Sequence, residues 1–314
     1  MGWLNLLWMF LVVSLATWAL GNAIALLFSA LPSAKQVDSE RRRLWLLAGM
    51  PWLLPATAIA ALFASSLAKA MNWIHDHCLQ HLQHHPHFCF EHLPEIALGL
   101  AQSLPVAIAT LGFLILLAAR LIRQAKDHDR VKLLQKLLPN GARLKHFHDS
   151  RPLAFALGIR RPAIFLSSGL KQWLTKRQQR LVLAHEAAHI RNRDGLKNAL
   201  FECLLVAHLH RTNLRQRWHL STEVLADECV AQQYDALELA TILVKLERAK
   251  IATTQHLSIT GSNTQLRIQH LIQKDERPDS FSFEVLLYGM LFAVPVMAII
   301  HHHVIETVLG WWLP

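Results

Sequence analysis

Charge is what this sequence has least of for its size. Only 17% of its 314 residues are Asp, Glu, Lys or Arg, against 53% hydrophobic residues, and its mean hydropathy is positive. An ordinary soluble domain of this length is excluded, and the bilayer must be part of its solvent. Missing too are an internal repeat, a phosphate-cradling glycine pattern and any low-complexity linker outside one His-rich loop. The first apolar run has neither the basic start nor the small-residue cleavage site of a secretory signal, and it is far too long for one, so it is expected to stay as a permanent span.

Crossing roughly 30 Å of hydrocarbon takes about 20 residues. Four runs qualify: Trp3 to Leu31, Leu44 to Leu67 with Pro51 and Pro55, Ile96 to Ala119 with Pro105, and the shorter Phe283 to Ile300, followed by Trp311 and Trp312 suited to the headgroup layer. Lys35, Arg41, Arg42 and Arg43 lie between the first two runs, whereas Met71 to Pro94 has no Lys or Arg. The positive-inside rule then places residues 32–43 in the cytoplasm and 71–94 outside, with both termini outside. The expected organisation is span 1–31, loop 32–43, span 44–70, outer loop 71–94, span 95–122, a cytoplasmic domain 123–282 and a last span within 283–314. The basic start of that domain (Arg120, Arg123, Lys126, Arg130, Lys132, Lys136) agrees with its side, and the net charge of +10 reads as membrane retention and anionic-lipid contact rather than nucleic-acid binding. Of four cysteines, Cys203 and Cys229 fall inside, so a disulfide is open only to Cys78 and Cys89.

The chemistry sits in the long cytoplasmic stretch. Thr175 followed three residues later by Gln178 has capping-box spacing, so a helix is expected to begin near Thr175 and to stop near Asp194-Gly195. On it, His185 and His189 are four residues apart and share a face, while Glu186 lies about 100° around and can reach a water beside a metal held by the two imidazoles. Two neutral nitrogens and an open position suit zinc, which polarises a carbonyl and activates water. The third ligand is expected on a later helix, returning after a helix of about Leu196 to His210 and a turn at Arg211 to Arg215. Glu223 is the best candidate, with Asp227 on the same face to orient a ligand histidine from behind. Asp194 stands as a helix-end residue near the same ligands, Glu202 has no acidic partner at that spacing, and His208 and His210 read as polar positions on a half-buried helix. Upstream, Pro152 to Gly158 and Pro162 to Leu166 read as two strands whose edge can bind a substrate backbone.

These residues together resemble the BlaR/MecR-type sensor-transducer metallopeptidases of bacteria. The likeness runs through Gly158 and Pro162, His185 to His189 with Ile190 and Asp194, Glu223 to Asp227, the Tyr234 to Leu246 segment, and the three-plus-one order of spans. It implies a predominantly α-helical integral membrane protein of the bacterial inner membrane, with four transmembrane helices and a cytoplasmic α+β zincin domain of the glutamate-ligand kind. That domain would hold one catalytic Zn2+ and, on an outside signal, cut a cytoplasmic transcriptional repressor of winged-helix type and itself. The family's β-lactam sensors carry a penicillin-binding domain after the last span; here the sequence stops at Pro314, so antibiotic sensing by that route is not expected. Instead His75, His77, Cys78, His81, His84, His85, His87, Cys89 and His92, with His301, His302 and His303, offer imidazole and thiolate ligands to copper, silver or zinc on the outer side. Two other readings are a quality-control protease like the HtpX and CAAX-protease group, and a non-enzymatic metal receptor with a structural zinc. In the last, Glu186 would have no use.

Overall fold

The computed structural model describes residues 2–34, 36–71, 73, 99–136, 143–159, 161–253, 260–273, 283–301, 304–305 and 307–308. Its long apolar runs are helices: α1 (Gly2–Ser29), α2 (Val37–Ala70) and α3 (Leu100–Lys136). All three are long and apolar enough to cross a membrane by length and composition, over Trp3–Ser29, Val37–Ala64 and Leu100–Lys126. Pro51, Pro55 and Pro105 all lie inside helices, as membrane helices tolerate. A fourth apolar helix, Phe283–Ile300, packs against α2 but is shorter than the other three. The outer-loop positions 75–92 and His302 and His303 lie outside the described residues, while His301 directly follows this last helix.

Two boundaries differ from expectation for one reason. A helix continues as long as its backbone bonds do, whatever its side chains' polarity. Arg41, Arg42 and Arg43, expected in a loop, are in the first turns of α2, where Asp38 and Glu40 suit the helix N-terminus. The basic segment from Arg120 to Lys136 likewise prolongs α3. Arginines also bond to the end of α1: Arg43 donates to the Phe28 and Pro32 carbonyls, and Arg217, from further along the chain, to those of Ser29 and Leu31. At the α1–α2 crossing, a Cβ on Gly21 would meet the Met50 carbonyl oxygen at 2.8 Å, so only glycine lets the two backbones approach this closely.

Beyond α3 a small sheet forms in the order β1 (Leu144–Phe147), β3 (Ala163–Ser167), β2 (Ala154–Leu157). The expected hairpin is β2 against β3, antiparallel, with Ala156 opposite Ile164; β1 adds a parallel partner. Gly158 leaves β2 at φ 114°, a conformation that suits glycine, and the edge of β2 away from β3 borders the site.

Among the described residues the helices that follow are α4 (Ser168–Trp173), α5 (Lys176–Arg191), α6 (Asp194–Leu204), α7 (Thr212–Ala231), α8 (Ala236–Thr253) and α9 (Thr260–Ile272), then α10 (Phe283–Ile300). The expected capping box is present: Thr175 Oγ1 accepts from Gln178, whose side chain accepts from the Thr175 backbone. The expected stop at Asp194-Gly195 is instead a start. α5 ends at Arg191, Arg193 turns through φ 55°, and Asp194 opens α6. An acidic residue suits a helix N-terminus as well as a glycine suits its end, and the local pattern did not separate the two.

The α6–α7 connection is not the polar turn expected. Leu205, Val206 and Ala207 form a buried 3-10 turn whose backbone is satisfied by side chains of all three long helices. Trp52 donates to the Leu204 carbonyl, Trp18 and Asn22 to Ala207, and Arg120 to Val206 and His208, while Asn22 accepts from the Leu209 N–H. His208, read as half-buried on a helix, lies past the turn, 1% exposed, with Nε2 3.0 Å from the Ala48 carbonyl oxygen; His210 is exposed and also non-helical. Buried backbone groups are costly unless bonded, so this tip is seated in the bundle. Trp45 of α2 stands edge-on to Phe201 of α6 and Trp218 of α7, which stack on each other at 4.6 Å; each such pair adds about 0.5–1.5 kcal/mol beyond its buried area.

Candidate metal centre

α5 and α7 pack together and bring the two sequence motifs face to face. His185 and His189, one turn apart, hold their Nε2 atoms 3.1 Å from each other. Glu223 completes the group, with Oε2 3.4 Å from His185 Nε2 and Oε1 3.6 Å from His189 Nε2. A zinc ion with ligands at about 2.0–2.1 Å in a tetrahedral arrangement needs donor atoms roughly 3.3 Å apart, so the three spacings fit. Among the described residues this is the group of His, Cys, Asp and Glu side chains whose ligand atoms can hold a metal.

The outer ring nitrogens support the same reading. His189 Nδ1 lies 2.8 Å from Asp194 Oδ2, and His185 Nδ1 lies 3.0 Å from Asp227 Oδ1. Each carboxylate favours a proton on the Nδ1 beside it, which turns both Nε2 lone pairs inward. Two lone pairs at that separation need a proton or a metal cation between them. Asp227, expected behind a ligand histidine, is thus found there, and Asp194 does the same from the start of α6.

Electrostatics tune the group for positive charge. Burial works against charging His185, but Asp227 and Glu223 outweigh it and raise its pKa to about 10. Desolvation likewise opposes ionisation of Glu223, yet His185 and Arg267 hold its pKa at about 2. Glu186 differs: burial pushes its carboxyl up, against the pull of His185 and His189 and of a backbone N–H from Ala156 on β2. A raised carboxyl that can both take and give a proton is what acid–base work requires. Because His185 holds a proton in the metal-free site up to about pH 10, metal uptake must displace it. Binding at pH 7.5 is therefore expected to release about one proton from the site, with affinity rising about tenfold per pH unit toward pH 10. Calorimetry in buffers of different ionisation enthalpy reads this directly; a heat independent of buffer would show that His185 is already neutral.

Sequence reasoning missed Arg267 and His219. Arg267, on α9, clamps Asp227 with two bonds of 2.7 and 2.8 Å and lies 2.9 Å from Glu223. Removing one partner of such a buried pair costs about 3–5 kcal/mol. It stands 40 residues from its partner, in no recognisable motif. His219 precedes Glu223 by one turn and lines the cleft, and burial lowers its pKa; its spacing to Glu223 was the available signal. Glu202, the rejected rival ligand, pairs instead with Arg215.

The group opens on a cleft of about 830 Å³. One wall is β2 from Ala154 to Gly158; another is the apolar face of α8, with Leu239, Ile242, Leu243 and Leu246.

Residues 128–248 match the model of Peptidase family M48, which indicates a metallopeptidase. The matched stretch runs from within α3 to α8 and contains His185, Glu186, His189, Glu223 and Asp227, but neither Arg267 nor anything from α1 and α2. No curated protein matches the chain.

Proposed function

We propose that this protein is an integral-membrane zinc endopeptidase of sensor-transducer type, which receives a signal outside the bacterial inner membrane and cuts a cytoplasmic repressor. The observation that carries the enzymatic part is the convergence of His185, His189 and Glu223 beside the buried Glu186, in a cleft one wall of which is the edge of β2. A structural zinc site has no use for such a carboxylate.

Zinc, when bound by His185, His189 and Glu223, supplies a Lewis acid that polarises the scissile carbonyl and acidifies water. Asp194 and Asp227 orient the two imidazoles from behind. The substrate backbone lies along β2, as an added strand, with its side chains against α8. Glu186 removes the proton of the attacking water and passes it to the leaving amine, a shuttle that its raised pKa favours.

The signalling part rests on charge and composition. Lys and Arg on the near side of α2 and none in Met71 to Pro94 support a cytoplasmic site, an outer His/Cys-rich loop and outward termini, with the last helix as a fourth crossing. The loop's seven histidines and two cysteines, with His301 to His303, are suited to Cu(I), Cu(II), Ag(I) or Zn(II). Replacing these histidines by serine or asparagine is expected to raise the metal threshold for repressor cleavage in cells, because only differential affinity for two states drives a switch. A response unchanged in threshold and amplitude would remove the loop as the sensor. A second reading, as a membrane quality-control protease, is equally compatible with the match to Peptidase family M48. That reading predicts cleavage of unfolded membrane proteins with no dependence on the outer loop.

A further inference from the structure

Each histidine of the centre is backed by an aspartate and each aspartate by an arginine, but the two arginines differ in origin. Arg267 comes from α9 beside the cleft. Arg41 comes from α2, a helix of membrane-crossing length that lies outside the stretch matching the peptidase family. Its Nη2 lies 3.6 Å from Asp194 Oδ1, a buried oxygen that takes no hydrogen bond among the described residues. The same guanidinium sits over the Trp218 ring, 4.4 Å from its centroid, and donates from Nη1 to Thr222 Oγ1 at 3.2 Å. Thr222 immediately precedes Glu223 on α7, and Asp194 holds His189. One side chain of this helix, 7% exposed, thereby touches the aspartate behind His189 and the chain neighbour of Glu223.

We infer that Arg41 is a positioning residue of the metal centre, fixing Asp194 behind His189 and Thr222 beside Glu223, so that metal affinity depends on how α2 is seated against α6 and α7. The inference rests on the zinc reading above and deepens it. A planar guanidinium can serve Asp194, Thr222 and the Trp218 face together, whereas a lysine ammonium is a point charge on a flexible stem and cannot. Partners behind metal ligands set ring orientation and basicity, and their loss costs typically about 10–100-fold in metal affinity. Arg42, the next residue, faces the other way and pairs with Glu284 at 3.1 Å, with more than half of its side chain exposed.

The test uses the full chain in detergent or nanodiscs, zinc affinity by chelator competition, and the visible spectrum of the Co(II)-substituted protein. Arg41→Met is expected to weaken zinc binding about 10–100-fold and to shift the Co(II) bands, Arg41→Lys to fall between it and the native protein, and Arg42→Gln to match the native protein in both. Native affinity and an unchanged Co(II) spectrum in Arg41→Met, while Asp194→Asn weakens binding, would overturn the proposal. Should Arg41→Met fail to fold, Arg41→Lys decides: native values in both measurements again overturn it. Zinc retained at full affinity by His185→Ala and His189→Ala is a separate failure, of the zinc reading itself.

Discussion

Glu186→Gln is expected to keep its metal and to lose peptide-bond cleavage by roughly 10²–10⁴-fold, the ordinary contribution of a positioned acid–base group. The substitution is nearly isosteric, and the amide oxygen can still accept the N–H that Ala156 offers from β2. Removed are the carboxylate's charge and its capacity to take and give a proton. Glu186 points into the cleft without belonging to the His185, His189 and Glu223 group, so metal content and catalysis should separate cleanly in this one variant. Activity is measured on a physiological substrate and metal by elemental analysis. Undiminished cleavage with native metal content would sink the protease reading.

The opposite pattern is expected of the ligands. His185→Ala and Glu223→Ala each remove one of three donors, and each should reduce about one zinc per chain to a trace, a larger loss than the roughly 10–100-fold typical of residues behind the ligands. Glu223→Ala also deprives Arg267 of one carboxylate but leaves it bidentate on Asp227, so α9 should stay docked and the protein folded. A Glu223→Ala protein that holds zinc stoichiometrically and still cleaves would show that another residue is the third ligand.

What was legible in the sequence was whatever a helix repeats locally. The Thr175–Gln178 box, the His185–His189 pair and the Glu223–Asp227 pair are each set by spacings of three or four residues, and all hold in the structure. Arg41 and Arg267 were invisible because they act at the ends of long chain separations, where no period announces a partner. β1 escaped for a related reason. Leu144 to Phe147 is a four-residue strand with exposed alternate positions, defined mainly by its parallel pairing to β3, a contact made in space rather than in order. Asp194 was placed near the right ligands but at the wrong end of a helix, since the break falls on Arg193. The helix expected to run on to His210 stops at Leu204 instead, where Asn22, Trp18, Trp52 and Arg120 supply the connection's bonds from far upstream.

That seated tip, Leu204 to Leu209, bears on how the molecule can be divided. A cut after the third long helix would yield what resembles a self-contained hydrolase, yet it would bare Leu205, Val206 and Ala207 and strand the carbonyls that Trp18, Trp52 and Arg120 now satisfy. The long helices and the domain that carries the metal group therefore share one folding unit. Any change in the bundle's packing is already a change at the root of the helices that carry Asp194 and Glu223.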